Sequence, residues 1–322
     1  MSKFDPYEHL KVLKNEDGTL TRLVQFPQIP ATGDADPVPG QTVVSKDVTL
    51  DATKKTWLRI HRPAKIPSND NKIARLPLVI YFHAGGWILF SVSDALNHEA
   101  MNKLSDEIPA IIVAVNFRLA PETRLPGQYD DAMDAINWIK KQATDPNGDP
   151  WIKQYADFSR VFMYGTSCGA NIVLNTALRV IDHDISPVTI AGIILCQPFI
   201  GGKKRTKSEL KLAADVFFPL PVIDVLWELA LPKGTDRDHR FCNPLGDEQV
   251  KEKMKKLGRC LVIGFGGDPL IDRQQDLVQL LVMQGVMVEA RFDDTGGGGS
   301  CWRWLMVALM MMVVVMMMGG CD

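Results

Sequence analysis

The sequence lacks the cysteine patterns that would indicate a metal site or a disulfide framework. Its six cysteines form no C-x-x-C pair, and no group of cysteines and histidines has the spacing of zinc ligands. Isolated thiols of this kind are typical of a reducing compartment. The first ten residues also lack the apolar stretch that a secretory signal requires. We therefore expect a cytoplasmic protein without a bound metal.

The sequence has no excess of charge of either sign. Its 322 residues carry 36 Lys and Arg against 38 Asp and Glu, a formal net charge of −2. Proteins that bind nucleic acid or an anionic membrane through their electrostatic field are strongly basic, so we expect neither as a partner. A hydrophobic fraction of 46% and a charged fraction of 23% indicate a globular chain that buries a large core.

Apolar segments of strand length recur along most of the chain and alternate with helical patterns. Residues 42–50 and 56–62 alternate apolar and polar positions, which predicts half-buried strands that pair antiparallel. Residues 10–23 predict a short helix or a hairpin, and 68–75 a polar loop. Continuous apolar runs predict buried strands at 76–82, 110–115, 160–164, 190–196, 259–265 and 286–292. The order predicts one α/β domain over 1–322, with a mostly parallel sheet covered by helices on both faces.

One of the apolar runs ends in G-x-S-x-G, formed by Gly165, Ser167 and Gly169. A strand before this pentapeptide and a helical pattern after it are the context of a nucleophile elbow. The glycines leave room for a tight turn from which the serine hydroxyl stands clear of the backbone. The following helix N-terminus favours negative charge at the same place. We interpret Ser167 as a nucleophile; the alternative is an ordinary turn whose serine caps the helix.

Segments after two other strands contain the groups that a serine nucleophile needs. Gly85 and Gly86 follow the strand at 76–82, and we predict that their N–H groups, with that of Cys168, form an oxyanion hole. His83 is interpreted as structural, because the donors needed are backbone groups. Asp268 directly follows the strand at 259–265 and is the candidate acid that orients the base, with a simple turn residue as the alternative.

These segments together resemble the plant carboxylesterases of the hormone-sensitive-lipase-like branch of the α/β-hydrolase family, close to the kiwifruit carboxylesterase type. The resemblance covers about residues 5–295. Its matching stretches are HAGGW at 83–87, FRLAPE at 117–122, LP at 125–126 with YDDA at 129–132, DF at 157–158, GTSCGAN at 165–171, CNP at 242–244 and GDPLIDR at 267–273.

The resemblance implies an α/β-hydrolase fold with an eight-stranded, mostly parallel central sheet, and a small cap formed by residues 1–40 and about 201–256. It also implies hydrolysis of small carboxylic esters through an acyl-enzyme on Ser167, with no metal and no cofactor. The expected partner is a small ester or a related apolar ligand, bound by a monomer or weak dimer. An apolar pocket would be lined by Trp87, Phe90, Phe217, Phe218 and Trp227, for which ordinary core positions are the alternative.

The sequence departs from the family's pattern most at the catalytic base. The family's histidine follows the last strand, where this chain has Gly298, and no histidine follows Asp268. Residues 296–322 form an atypical tail with a Gly-Gly-Gly-Gly-Ser stretch and a methionine-rich apolar run, which we interpret as non-native sequence. Milder departures are Ala84 for the first glycine of H-G-G-G and Cys168, interpreted as a small filler and not a second nucleophile.

The missing histidine keeps two other functions open. The gibberellin receptors resemble these esterases but lack the catalytic histidine, so the chain could be a non-catalytic binder of a small molecule. Other relatives are dehydratases or cyclases of plant specialised metabolism that use the same site for elimination or cyclisation. Kinship of fold alone does not separate these possibilities, because function depends on the site.

Overall fold

The computed structural model of the chain describes residues 4–34, 37–69 and 72–293. The strands in these ranges are β1 (Val12–Lys14), β2 (Leu20–Arg22), β3 (Val43–Asp51), β4 (Thr56–Pro63), β5 (Ser68–Asn69), β6 (Lys72–Ile73), β7 (Leu76–Phe82), β8 (Ile111–Asn116), β9 (Ala156–Thr166), β10 (Ile190–Cys196), β11 (Arg259–Phe265) and β12 (Val288–Asp293). The α-helices are α1 (Pro6–His9), α2 (Ala95–Glu107), α3 (Gly127–Thr144), α4 (Pro150–Tyr155), α5 (Cys168–Val180), α6 (Lys207–Lys211), α7 (Leu220–Ala230), α8 (Glu248–Met254) and α9 (Ile271–Met283). The predictions for Gly298 and the tail 296–322 lie outside the described residues.

Eight strands form one central sheet in the order β12-β11-β10-β9-β7-β8-β4-β3. β4 pairs antiparallel with β3 and β8, and every other neighbouring pair in this sheet is parallel. The predicted α/β-hydrolase architecture and the antiparallel start of the sheet are confirmed. The prediction of a plain loop at 68–75 is wrong, because β5 and β6 pair there as a short antiparallel ribbon.

The central strand β7 shows why the parallel part of the sheet has continuous apolar sequences. All seven of its residues are buried. Leu78, Ile80 and Phe82 pack into one core cluster, together with side chains of α3 and α5. Val79 and Tyr81 point to the opposite face and pack with side chains of α2. A strand covered on both faces has no exposed position for a polar residue, so its sequence does not alternate.

The strand register brings the candidate site residues to one edge of the sheet. Thr166 of β9 lies opposite Cys196 of β10, and Cys196 lies opposite Ile263 of β11. Phe82 of β7 lies opposite Gly165 of β9 on the other side. Parallel strands end at a common edge, so the loops after β7, β9, β10 and β11 meet there. This is the edge at which open α/β sheets bind their ligands.

The N-terminal residues and the segment 201–256 contact each other. Residues 10–23 form the hairpin β1–β2, one of the two structures predicted for them. Helix α1 packs against α7. His9 Nε2 lies 3.2 Å from the Phe217 carbonyl oxygen. Among the described residues, no helix is both long enough and apolar enough to cross a membrane.

Candidate active site

Ser167 lies at a sharp turn between β9 and α5, as the G-x-S-x-G spacing predicts. Its backbone has φ 56° and ψ −118°, a conformation that is costly for a residue with a side chain. A Cβ on Gly165 would lie 2.2 Å from the Gly169 carbonyl oxygen, and one on Gly169 would lie 2.1 Å from the Phe82 carbonyl oxygen. Only glycine fits at these two positions, so the turn depends on both.

The Ser167 side chain is available for chemistry. It is partly exposed and makes no capping hydrogen bond to α5, so the alternative of a helix-capping serine is excluded. The Ser167 backbone is held in place, because its N–H donates to the Cys196 carbonyl at 2.8 Å and its carbonyl accepts from Phe199 N–H at 3.1 Å. The turn is fixed and the hydroxyl is not engaged by the helix.

Asn171, the last residue of the matching GTSCGAN stretch, secures the first turn of α5. Its amide nitrogen donates to the carbonyls of Phe199 at 3.0 Å and Phe241 at 2.8 Å. The hydroxyl of Tyr129 on α3 donates to its amide oxygen at 2.7 Å. This buried network connects four segments of the chain. The network explains the asparagine of the GTSCGAN stretch as a structural residue. It gives neither Asn171 nor Tyr129 a chemical role.

Gly85 and Gly86 form the second side of the site in the loop after β7. Their φ values are 112° and 59°, a region that favours glycine. A Cβ on Gly85 would lie 2.3 Å from the Leu89 carbonyl oxygen, and one on Gly86 would lie 2.6 Å from the Leu226 side chain. Within the described chain, neither amide donates to a backbone carbonyl. The two amides therefore have no backbone acceptor, although the Gly86 N–H also lies near the Cys168 thiol.

Cys168 packs directly against the same loop. Its thiol is buried, and Sγ lies 3.6 Å from the His83 carbonyl oxygen as a donor. Burial raises the pKa of the Cys168 thiol to about 12, although the nearby N–H groups of Trp87 and Gly86 act in the opposite direction. A thiol with this pKa is neutral near pH 7 and a poor nucleophile. The side chain therefore fills space, as the sequence predicted.

His83 is a buried part of the scaffold. Its ring stacks on Phe117 with centroids 4.3 Å apart, and its Nδ1 lies 2.6 Å from the Ala84 carbonyl oxygen. Burial lowers the pKa of His83 to about 4, so the ring is neutral at neutral pH. These contacts agree with the structural role assigned to the ring.

Asp268 follows β11 at the same edge of the sheet. Its Oδ1 accepts the Leu270 N–H at 2.8 Å. Its Oδ2 accepts from Gln274 Nε2 at 2.6 Å and from Gln197 Nε2 at 3.3 Å. Burial raises the pKa of the Asp268 carboxyl, and these three donors partly oppose the rise. The carboxylate is therefore oriented by two side-chain amides.

Gln197 and Gln274 were missed by reasoning from the sequence. Gln197 is the first residue after β10, and Gln274 lies six residues after Asp268 in α9. The position of Gln197 after a buried strand is a signal of the kind that identified Asp268. The signal for Gln274 is weak, because a glutamine in a helix is usually exposed.

The five aromatic residues predicted to line a pocket have different surroundings. Trp87 and Trp227 have no exposed surface and pack on each other and on Phe199, with centroid distances of 4.7 to 5.1 Å. Phe217 is 84% exposed. Phe90 and Phe218 are partly exposed, and Phe218 contacts the Phe199 ring at 5.4 Å. Only Phe90 and Phe218 have the partial exposure expected of a pocket wall.

Within the described part of the chain, no histidine hydrogen-bonds Ser167 or Asp268. His61 and His98 belong to a buried network with Arg59 and Asn102 beneath α2. The remaining three, besides His83, lie towards the surface at positions 9, 183 and 239. The same described residues contain no group of three or more His, Cys, Asp or Glu side chains that could hold a metal ion.

Comparison with known proteins places this geometry among hydrolases. Residues 79–296 match the family model described as an alpha/beta hydrolase fold. The chain is 53% identical to probable carboxylesterase 9 of Arabidopsis thaliana, over 91% of this chain and 90% of that protein. It is 47% identical to a 3-O-acetylpapaveroxine carboxylesterase of Papaver somniferum, over 91% and 92% of the two chains. An esterase from Pyrobaculum calidifontis has the same fold, with a TM-score of 0.68 at 22% identity over 87% of this chain and 86% of its own.

Proposed function

The chain belongs to the α/β-hydrolase family, among its plant carboxylesterases, and we propose that it hydrolyses small carboxylic esters through an acyl-enzyme on Ser167. The observation that carries the proposal is that the uncapped Ser167 hydroxyl and the glycine loop after β7 follow neighbouring strands at one edge of the sheet. Ser167 makes no capping bond, and the Gly85 and Gly86 N–H groups donate to no backbone carbonyl of the described chain.

In the proposed reaction, the Ser167 oxygen attacks the ester carbonyl carbon while its proton passes to a base. The carbonyl oxygen becomes an oxyanion, which accepts hydrogen bonds from the N–H groups of Gly85, Gly86 and Cys168. Collapse of this intermediate expels the alcohol, which takes the proton from the base, and leaves the acyl group on Ser167. Water then attacks the acyl-enzyme by the same route and releases the acid. One lost donor of this type costs about 10²- to 10³-fold in turnover.

Asp268 is proposed to orient the base from the neighbouring strand end. Its carboxylate lies after β11, beside β12, and the family's histidine follows the strand that corresponds to β12. Gly298 occupies that sequence position here. Turnover of this chain therefore depends on which group acts as the base. A histidine introduced at position 298 would supply that base.

We propose that the N-terminal residues to about 40 and residues 201–256 form the cap of this site. Support comes from the packing of α1 on α7 and from Arg124, whose Nη1 donates to the carbonyls of Glu228 at 2.6 Å and Leu231 at 2.7 Å. Phe90 and Phe218 would contact an apolar part of the substrate. The name of the poppy relative, 3-O-acetylpapaveroxine carboxylesterase, makes acetyl esters the first substrates to examine.

A reducing compartment and a monomeric or weakly dimeric state are also part of the proposal. The four described cysteines, at positions 168, 196, 242 and 260, are buried and form no disulfide with one another. Buried thiols without disulfides are typical of a reducing environment such as the cytoplasm.

A fluorophosphonate probe, which reacts with activated serines, tests the role of Ser167. We expect labelling and hydrolysis of p-nitrophenyl acetate that are lost in Ser167→Ala and kept in Cys168→Ala. Both measurements are made on the unchanged chain and on Gly298→His. Absence of labelling in both would contradict the esterase proposal and favour a non-catalytic binder. Labelling without hydrolysis of any short acyl ester would favour elimination or cyclisation, which product analysis would identify.

A further inference from the structure

The guanidinium of Arg22 joins the N-terminal hairpin to the loop that carries the two site glycines. Its Nε donates to the Ile88 carbonyl at 2.6 Å, and its Nη2 donates to the Ala120 carbonyl at 2.9 Å. Ala120 in turn donates its N–H to the Trp87 carbonyl at 2.9 Å. The Ile88 carbonyl is thus two residues from Gly86, and Ala120 is hydrogen-bonded to Trp87, the residue that follows Gly86.

Glu122 completes this connection. Its carboxylate accepts from Arg22 Nη2 at 2.8 Å and Nη1 at 3.1 Å, and from the Leu20 N–H at 2.9 Å. Burial alone would raise the pKa of Glu122, but the hydrogen bonds from Arg22 and Leu20 outweigh it and lower the pKa. Glu122 is thus charged at neutral pH and pairs with Arg22. It ends the FRLAPE stretch, which the proposed reaction does not otherwise use.

The loop that Arg22 contacts has an unfavourable backbone conformation. Trp87 and Phe90 have φ values of 64° and 75°, beside the positive φ of Gly85 and Gly86. Such conformations persist only where the surrounding contacts impose them. Inside the loop, the Gly85 carbonyl accepts from Ile88 N–H at 3.1 Å and Leu89 N–H at 3.0 Å. Arg22 and Ala120 add hydrogen bonds from outside it.

From these contacts we propose that Arg22 is a positioning residue of the esterase site, which acts by holding the Gly85–Ile88 segment in the conformation that presents its amides. The N-terminal hairpin is then part of the catalytic apparatus and not only a cover. The inference rests on the proposed function, because it concerns the amides assigned to the oxyanion. Oxyanion donors act mainly in the transition state, so their displacement lowers kcat more than it raises KM.

Arginine is needed here because one group must reach several acceptors in one plane. The guanidinium presents five N–H donors in a rigid fork, whereas a lysine ammonium is a compact charge. A lysine at position 22 would keep the ion pair with Glu122 and lose at least one of the two carbonyl bonds. The conservative variant therefore separates charge pairing from loop positioning.

The test compares Arg22→Met and Arg22→Lys with a matched control, Arg75→Met. Arg75 also holds two carbonyls, those of Lys153 and Ala156 at 3.0 Å each, but it precedes β7 at the opposite edge of the sheet. We measure kcat and KM for p-nitrophenyl acetate, in the unchanged and Gly298→His backgrounds. We also measure amide hydrogen exchange of the peptide covering 83–90 in the same proteins, and in proteins that carry Ser167→Ala.

We expect Arg22→Met to lower kcat about 10- to 100-fold, the loss typical of a small misplacement of catalytic groups, with KM changed less than about 3-fold. Arg22→Lys should lie between Arg22→Met and the parent, and Arg75→Met should match the parent. Exchange in 83–90 should accelerate only in the Arg22 variants. Equal kcat losses in Arg22→Met and Arg75→Met, or unchanged exchange in 83–90, would overturn the proposal. If neither background hydrolyses the ester, the proposed function fails, and the exchange result alone decides the role of Arg22.

Discussion

The two halves of the candidate site are held by different means. On the nucleophile side, Ser167 and the Gly85–Gly86 loop are placed by backbone turns that only glycine allows. On the acid side, Asp268 is placed by hydrogen bonds from the side chains of Gln197 and Gln274. A geometry built into the backbone depends less on any one side chain, and Arg22 is proposed to support the glycine loop from outside it. The proposed pairing of Asp268 with a base depends on each side chain, and no histidine follows Asp268 in the sequence to serve as that base.

The same contrast appears in the backbone strain. Of the six described non-glycine residues with positive φ, four follow strands at the site edge: Trp87, Phe90, Ser167 and Gln197. Three of them belong to the nucleophile side. Strain of this kind costs about 1 to 3 kcal/mol per residue and persists where packing imposes it. The nucleophile side is therefore the more rigidly specified half of the site.

The largest effect is expected from breaking the nucleophile side at Gly169. An alanine there would place its Cβ 2.1 Å from the Phe82 carbonyl oxygen, in the centre of the sheet. We expect Gly169→Ala to lower the free energy of unfolding by about 3 kcal/mol or more and to abolish fluorophosphonate labelling. Urea denaturation measures the first quantity.

Gly258→Ala is the control for that substitution, because a Cβ at Gly258 would have no heavy atom within 4 Å. Its stability should equal that of the parent or slightly exceed it. A Gly169→Ala protein with parental stability and labelling would show that the elbow is not packed as described.

The next largest effect is expected on the side of Asp268, when a histidine is introduced to act as the base. Gly298→His should raise turnover of p-nitrophenyl acetate by a factor on the order of 10² to 10⁴, the usual contribution of a general base. In that background Asp268→Asn should remove most of the gain, whereas in the unchanged chain it should change turnover little. Equal effects of Asp268→Asn in both backgrounds would argue against a relay through position 298.

A smaller effect is expected on the free energy of unfolding, whose pH dependence differs between His83 and Asp268. The pKa of His83 is lowered to about 4 by burial, so below pH 6.5 the unfolded state binds protons that the native state does not. Stability due to His83 is thus complete above pH 6.5 and falls as pH decreases towards 4, by up to about 1.4 kcal/mol per unit. The raised pKa of Asp268 acts oppositely, because above pH 3.8 the unfolded carboxyl ionises first and stability falls as pH rises.

Urea denaturation between pH 4 and 6.5 measures both contributions. His83→Gln should flatten the loss of stability towards low pH, and Asp268→Asn should make that loss steeper, since it removes the opposing contribution. The exposed His183, changed to Gln, provides the control and should leave the slope unaltered. Identical slopes for His83→Gln and the parent would contradict the neutral, buried state of His83.

The smallest effect is expected at Cys168, which lies within the nucleophile side and to which the proposed reaction assigns only its backbone N–H. Cys168→Ala keeps that amide and removes a buried thiol whose pKa is raised to about 12. Turnover and labelling should remain close to those of the parent, with a modest loss of stability from the space left behind. A large loss of turnover at unchanged stability would instead assign the thiol a chemical role.

Much of the architecture was readable from local pattern. The runs at 76–82, 190–196 and 259–265 coincide with β7, β10 and β11, because a strand buried on both faces has an uninterrupted apolar sequence. Helix α2 was missed, since three of the five residues that it buries, Asn97, His98 and Ser105, are polar and weaken its apolar pattern. Its polar contacts with β4 and with neighbouring loops involve residues far apart in the chain, such as His61 with Asn102.

The sequence by itself determined the sharp turn at Ser167, because a glycine at two positions from Ser167 on each side is a local requirement of that turn. It also determined the order of the eight central strands along the chain, through apolar or alternating runs of strand length. Only the tertiary structure decided that Gln197 and Gln274 orient Asp268, that Trp87 and Trp227 are core residues, and that Arg22 reaches the carbonyls of Ile88 and Ala120. Those contacts join residues that are distant in sequence, and their geometry exists only after the sheet has brought its strand ends together.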